Sequence, residues 1–463
     1  LLCDILAALA LVSILPKKFI YSAFAISAAL SICIVSYAHN FKSPLFLTAI
    51  KTQWSECSAL GSDILSFIPL APVASILIAF AFKFIFTTFI SFEKSQNTKV
   101  IGAIFLCTLL AVHTWQNAYK NPIKDAFADQ NYYNPVKFYG YLITWVSEAL
   151  LVDEAALLAT FDESPLSNKI TKKDGPIAPN TNLSVIQVES LDYDVVFKNA
   201  PDGTPVTPFL RKLFEENRHY KIDGPHIVGS GSSDFMMLMQ RKRSTQIMAY
   251  MLKSYNFTQK CSLPNIANRL GYETVAIHGY EGEYFRRKSA FNKMGIDHVI
   301  FYEDVPKRQY KGYPFFKEHA LLDEDVFDIS IKKLQNAKEK QFHFIITVTS
   351  HGPFNYLPTE KREIFAEPKN GIQAYFNSMR YIDRCLEKYA NSAKETTVII
   401  YGDHSSGLKY TETPSHCVPF IIAGSQCTPL KPTPSTIYSL EDAASCVKTF
   451  FTKKQMEEEH ASL

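Results

Sequence analysis

No Cys-x-x-Cys pair occurs anywhere in the chain, although it has nine cysteines. That absence argues against a zinc ribbon or a thioredoxin-type redox site. An excess of charge of either sign is missing too. The formal net charge is only +3 over 463 residues, so nothing suggests nucleic-acid binding. A start methionine is lacking, and Leu1 in its place suggests that the N-terminus is incomplete. Cys3, Cys33 and Cys107 lie in apolar runs and Cys57 in the loop between two of them, which leaves five later cysteines. Five is odd. Cys417 and Cys427 could pair across a short segment.

The chain itself has two unlike parts. Residues before about 118 are dominated by apolar runs, roughly 1–15, 19–38, 64–92 and 100–115, and the rest is charged like a globular domain. The second and third runs meet the ~20 residues that a spanning helix requires. Lys17 and Lys18 join the first two runs, and Lys94 and Lys99 join the last two, with Lys83 nearby. Those lysine-bearing loops should be cytoplasmic, which places everything after the fourth run outside. The same count puts Leu1 outside, so a parent chain with one more helix upstream is expected. Residues 116–182 connect the two parts. Positions 138–151 have helical spacing of apolar groups, and 164–182 read as a linker.

From residue 183 short β-rich runs alternate with helical stretches, which predicts a mostly parallel sheet with helices on both faces over 183–451, followed by a tail at 452–463. Strands are expected at 183–188, 273–278, 298–302, 342–348, 397–401 and 418–422. Helices are expected at 207–217, 263–270, 283–294, 321–337, 373–389 and 439–451. Ligands in such folds sit at the carboxyl ends of strands. The residues there are Glu189 and Ser190, His278 and Gly279, Ser350 and His351, and Gly402, Asp403 and His404. Glu189, Asp403, His404 and a hydroxyl would form a mixed oxygen and nitrogen site for a divalent ion. Manganese or magnesium suits the oxygen majority, with zinc as the alternative.

The hydroxyl comes from Val228-Gly-Ser-Gly-Ser-Ser-Asp234, which runs into the apolar stretch Phe235-Met-Met-Leu-Met239. Glycines admit a close ligand, and a helix start offers free N–H groups to a phosphate. Ser232 or Ser233 would lie where that phosphate is held and attacked. The plainer reading of Ser-Ser-Asp is an N-cap.

Five stretches recur in order: Val185-Ile-Gln-Val-Glu-Ser-Leu191, Gly229-Ser-Gly-Ser-Ser-Asp234, His278-Gly-Tyr-Glu-Gly-Glu-Tyr-Phe-Arg-Arg287, Ser350-His-Gly-Pro-Phe354 and Tyr401-Gly-Asp-His404. Together they resemble the lipoteichoic acid synthase and phosphoglycerol transferase family, within the sulfatase/alkaline phosphatase-like superfamily. The resemblance implies a multi-pass helical membrane domain followed by a doubly wound α/β catalytic domain outside the cell membrane. It implies that Glu189, Asp403 and His404 bind the metal together with Ser232, the nucleophile. The family normally has threonine at that position, and the serine keeps the hydroxyl. Ser233 stays open as the attacking group. His278, His351 and Arg287 match positions that line the substrate pocket, where Arg286 competes with Arg287 and His416 is a further candidate.

The reaction so implied moves a phosphoglycerol head group from a phospholipid, with phosphatidylglycerol favoured, to a glycan or polymer of the cell envelope. A phosphoethanolamine transferase shares fold and metal and is the first alternative. A sulfatase-type hydrolase would need a Cys/Ser-x-Pro-x-Arg motif, which neither serine has. A non-catalytic membrane sensor would be expected to have lost ligands, and this set is intact.

Overall fold

The computed structural model describes residues 182–461 apart from 217–218, 225–229, 241–261, 316–317, 412–415 and 424–435, together with isolated helical positions between residues 29 and 149. The chain divides into one unit of Leu1–Thr160 and another of Phe161–Leu463. In the first, Tyr141 and Trp145 lie one helical turn apart with their rings edge to face at 5.9 Å. This agrees with the helical spacing read over 138–151. Of the four apolar runs only Ala29 and residues 32–34 are described, all helical. Among the described residues no helix is long and apolar enough to cross a membrane. Most of the linker expected at 164–182 lies outside the described residues, as does Cys427.

The described residues of the second unit include ten strands. In chain order they are β1 (Asn182–Val188), β2 (His219–Asp223), β3 (Tyr272–His278), β4 (His298–Ile300), β5 (Tyr313–Phe315), β6 (Glu318–Ala320), β7 (Lys340–Ile346), β8 (Thr396–Gly402), β9 (Cys417–Ala423) and β10 (Ile437–Ser439). Strands β5 and β6 form a separate antiparallel pair, and the other eight lie in the order β10-β2-β9-β8-β1-β7-β3-β4. Every neighbouring pair in that sheet is parallel except those of β9, which runs against both β2 and β8.

Among the described residues of this unit seven α-helices accompany the strands: α1 (Pro208–Glu215), α2 (Ser230–Met239), α3 (Leu263–Arg269), α4 (Arg287–Lys293), α5 (Asp323–Asn336), α6 (Gly371–Ser392) and α7 (Leu440–Ala461). The central strands are buried along nearly their whole length because both sheet faces are covered. Ile186, Val188, Ile345, Val398 and Ile400 point into one core with Leu210 of α1, Phe327 of α5 and Leu386 of α6. Residues of opposite parity face the other layer, where Tyr272 and Phe342 meet Phe451 of α7 at ring distances of 5.4 and 5.5 Å. Each such side chain, once buried, contributes about 1.5–3 kcal/mol.

The six expected strands and the expected helices are all present, and four details differ. Strands β2, β5, β6 and β10 were not legible, since β2 buries only Tyr220 and Ile222 in five residues and β5, β6 and β10 have three residues each. The helix expected over 283–294 is broken, because Phe285 and Arg286 adopt φ of 54° and 56°. No right-handed helix passes through that left-handed region, so α4 restarts at Arg287. The last helix continues to Ala461 through what was read as a tail, on a run of good helix formers from Lys453 to Glu459. Finally, α2 begins at Ser230, so Ser232 and Ser233 lie inside its first turn rather than ahead of it.

Candidate active site

Strand β1 ends at Val188, and the next residue, Glu189, is buried at the carboxyl edge of the sheet. Its N–H donates to Thr347 Oγ1 at 2.9 Å and its carbonyl accepts from Ser350 Oγ at 2.5 Å, both beyond the end of β7. Ser190 then takes φ of 56°, a left-handed turn that aims its N–H at Asp403 Oδ1, 2.8 Å away. Such strain in a non-glycine residue persists where the surroundings hold it. Here Tyr375 donates to the Ser190 carbonyl at 2.9 Å and Asp403 accepts from its amide.

Asp403 follows β8 through Gly402. A Cβ at Gly402 would stand 2.6 Å from the Leu191 carbonyl oxygen, so only glycine allows the two strand ends to approach this closely. The Asp403 amide bonds back to the Val188 carbonyl at 3.3 Å. The loop beyond is clamped by Asp192, whose carboxylate accepts from Ser406 N at 2.7 Å, Ser406 Oγ at 2.5 Å and Tyr410 Oη at 2.7 Å.

These turns bring Glu189, Asp403 and His404 together, with one ligand-type atom of each within 4.8 Å of the others and all three buried. His404 Nε2 is 3.3 Å from Glu189 Oε1 and 3.7 Å from Asp403 Oδ2. Its Nδ1 lies 2.9 Å from the Ser405 carbonyl, which can only accept, so Nδ1 carries the proton and Nε2 faces the carboxylates. That second hydrogen bond, ring nitrogen to backbone carbonyl, is the arrangement usual for a metal-ligating histidine. The electrostatics agree. Burial and the charge of Glu189 push the Asp403 carboxyl up. Burial would raise Glu189 as well, but His351 and His404 hold it well below the usual carboxylate range. Burial disfavours charge on His404, yet Asp403 and Glu189 push it up to about 10. Two buried carboxylates thus hold a positive charge between them, and a divalent cation fits this donor set.

The remaining residues take distinct places. Ser232 belongs to the first turn of α2, and its side chain lies outside the described residues. Ser233 is fully buried and donates to the Asp403 carbonyl at 2.6 Å. This corrects the reading of Ser233 as an N-cap, since its hydroxyl serves another segment rather than its own helix. Arg287 is buried and pairs with Asp234 of α2, Nε to Oδ2 at 2.7 Å. Arg286 is half-buried in its left-handed conformation. His278, the last residue of β3, lies with Nδ1 3.2 Å from the Ile346 carbonyl, and burial and the Arg287 charge push it down to about 3. His351 is half-buried, with Nδ1 2.7 Å from the Gly352 carbonyl. His416 is exposed, and beside Ser405 and Tyr410 it lines a small cleft. Asp192, Thr347 and Asp234 were missed as parts of the site. Only Asp234 carried a signal, as the last residue of the serine motif.

The model of the sulfatase family matches residues 181–442, more than half of the chain. The chain belongs to the sulfatase family. Within that family it is similar to the lipoteichoic acid synthase of Staphylococcus saprophyticus, 29% identical over 244 residues, which are 49% of this chain and 36% of that protein. Lipoteichoic acid synthase 2 of Bacillus subtilis is 27% identical over 242 residues, again 49% of this chain and 36% of the relative. This sulfatase-family chain therefore spans little more than a third of the curated relatives it matches. Among solved structures, the lipoteichoic acid synthase LtaP of Listeria monocytogenes aligns with a TM-score of 0.47 at 18% identity, over 59% of this chain and 72% of that one. The five motifs quoted above led to the same family.

Proposed function

We propose that the chain is a membrane-anchored, metal-dependent transferase that moves a phosphoglycerol-type head group from a phospholipid to a glycan or polymer of the cell envelope. The observation that carries this reading is the convergence of Glu189, Asp403 and His404 beside the helix that bears Ser232. The similarity to lipoteichoic acid synthases supports the substrate class. The four apolar runs support an anchor that keeps the catalytic domain, residues 183–451, at the outer face of the cell membrane.

Glu189, Asp403, His404 and Ser232 would hold the metal, manganese or magnesium by the oxygen majority and zinc otherwise, and such an ion lowers the pKa of a serine hydroxyl and offsets phosphate charge. Ser232, its hydroxyl proton already released to solvent, attacks the lipid phosphorus through Oγ, forming an Oγ–phosphorus bond as the bond to the diacylglycerol oxygen breaks. That leaving oxygen takes a proton from His351, which is half-buried. His278 is held neutral, and its Nδ1–H faces the Ile346 carbonyl, so Nε2 is left to accept a hydrogen bond from the substrate. Arg287, anchored by Asp234, would place positive charge near the phosphoryl oxygens, and Arg286 and His416 are further candidates for holding the substrate. In the second half an acceptor hydroxyl loses its proton to His351 and attacks the phospho-serine, which frees Ser232.

The test is to supply the membrane-embedded protein with manganese and labelled phosphatidylglycerol or phosphatidylethanolamine. Diacylglycerol should be released from phosphatidylglycerol. Release only from phosphatidylethanolamine would make it a phosphoethanolamine transferase. Release of free head group without transfer would make it a hydrolase.

A further inference from the structure

Two neighbouring residues of α2 reach in different directions across the domain. Asp234 pairs with Arg287, and Ser233 donates to the Asp403 carbonyl. Successive helical residues project about 100° apart, so these two contacts restrain both the position and the rotation of the first turn. Ser232 is the residue immediately before them. The Asp403 peptide is likewise held from both sides, its N–H by the Val188 carbonyl and its C=O by Ser233, while its Oδ1 accepts from the amides of Ser190 and His404. A hydroxyl that needed only a partner could have bonded to a carbonyl one turn back in its own helix. Ser233 instead bonds across 170 residues of sequence to the turn that presents Asp403 and His404.

We infer that Ser233 is a positioning residue: its hydroxyl locks the nucleophile-bearing turn of α2 to the Asp403–His404 turn. The inference rests on the function proposed above for Ser232, Asp403 and His404. Its consequence is a split in effects. Losing the latch misplaces the attacking oxygen relative to the donor set by a fraction of an ångström to an ångström, which lowers the rate of the chemical step and weakens cation binding. It leaves recognition of the lipid nearly unchanged.

The experiment compares the full chain with Ser233→Ala, which removes one oxygen and keeps helix propensity and packing. Release of diacylglycerol from labelled phosphatidylglycerol should show kcat lowered roughly ten- to a hundredfold, with KM within about twofold. Thermal unfolding in a manganese titration should show a half-saturating concentration raised about tenfold, beyond the modest fall in metal-free melting temperature that loss of one buried hydrogen bond brings. Ser233→Cys keeps the side-chain shape with a weaker donor and should fall between the two in both readouts, which decides the matter if the alanine variant does not fold. Unaltered kcat and manganese midpoint in the folded variants would overturn the inference. So would loss of the head-group adduct from Ser233→Ala together with its survival in Ser232→Ala, because Ser233 would then be the nucleophile. If the unaltered chain releases no diacylglycerol, the proposed function falls, and the manganese midpoint alone decides the role of Ser233.

Discussion

Two of the settings in which buried carboxylates occur in this domain contrast sharply. Asp383 on α6 accepts from the amides of Phe209 and Leu210 at 2.9 and 2.8 Å, and so closes the start of α1 from a distant helix. Asp323 accepts from the amides of Val348 and Thr349 at 2.8 and 3.0 Å, and so holds the loop that leads to His351. In both, burial pushes the carboxyl up, to about 7 and about 6, against the pull of those donors. Glu189 and Asp403 are as deeply buried, yet they face one another and His404. Burial and residue type are the same in the two settings. What differs is that the oxygens of Asp383 and Asp323 are taken up by backbone amides of one segment, whereas Glu189 and Asp403, although Asp403 Oδ1 also accepts from two amides, share charged neighbours drawn from several segments. The first arrangement fixes a loop, and the second creates a place for a cation.

The sharpest way to break this contrast is at the converging set. Asp403→Asn should lower turnover by at least three orders of magnitude, and manganese should no longer raise the melting temperature. The metal-free protein should lose little stability, because one of two like charges has gone. Ser232→Ala should reduce turnover as far, with no head-group adduct by mass spectrometry and with metal binding weakened but detectable. Ser232→Thr should retain most of the activity, since the hydroxyl stays.

The opposite pattern is expected at the capping carboxylate. Asp383→Ala leaves two buried amides at a helix start and should cost about 1–2 kcal/mol, read by denaturant titration. The kcat per folded molecule should match the unaltered chain. A large loss of kcat with stability intact would erase the distinction between the two settings.

The smallest effect concerns pH. His343 of β7 is buried against Ser330, and burial with the Lys333 charge pushes it down to about 3 from an ordinary 6.5. The unfolded chain therefore binds this proton more readily than the folded one. The stability that neutral His343 contributes is present above pH 6.5 and is lost as pH falls toward 3. Between pH 7 and pH 5 the melting temperature of His343→Gln should accordingly fall by less than that of the unaltered chain. An equal fall in both would remove His343 from the acid response.

The sequence by itself determined the strands and helices whose patterns are local. Continuous apolar runs such as Val398-Ile-Ile-Tyr401 report burial on both faces, and polar residues directly after them, Glu189 and Asp403, mark strand ends at which ligands gather. The motif order also sufficed for the family, because each motif is a short contiguous string. Strands β2, β5, β6 and β10 stayed hidden because a strand of three to five residues has too few periods to stand out. Only the tertiary structure decided that β9 runs antiparallel, that the chain breaks its helix at Phe285 and Arg286, and that Ser233 and Asp234 serve the Asp403 turn and Arg287. Their partners lie 170 and 53 residues away. A hydrogen bond between such positions leaves no period or spacing in the string, since it depends on which turns the packed sheet brings within 3 Å of one another.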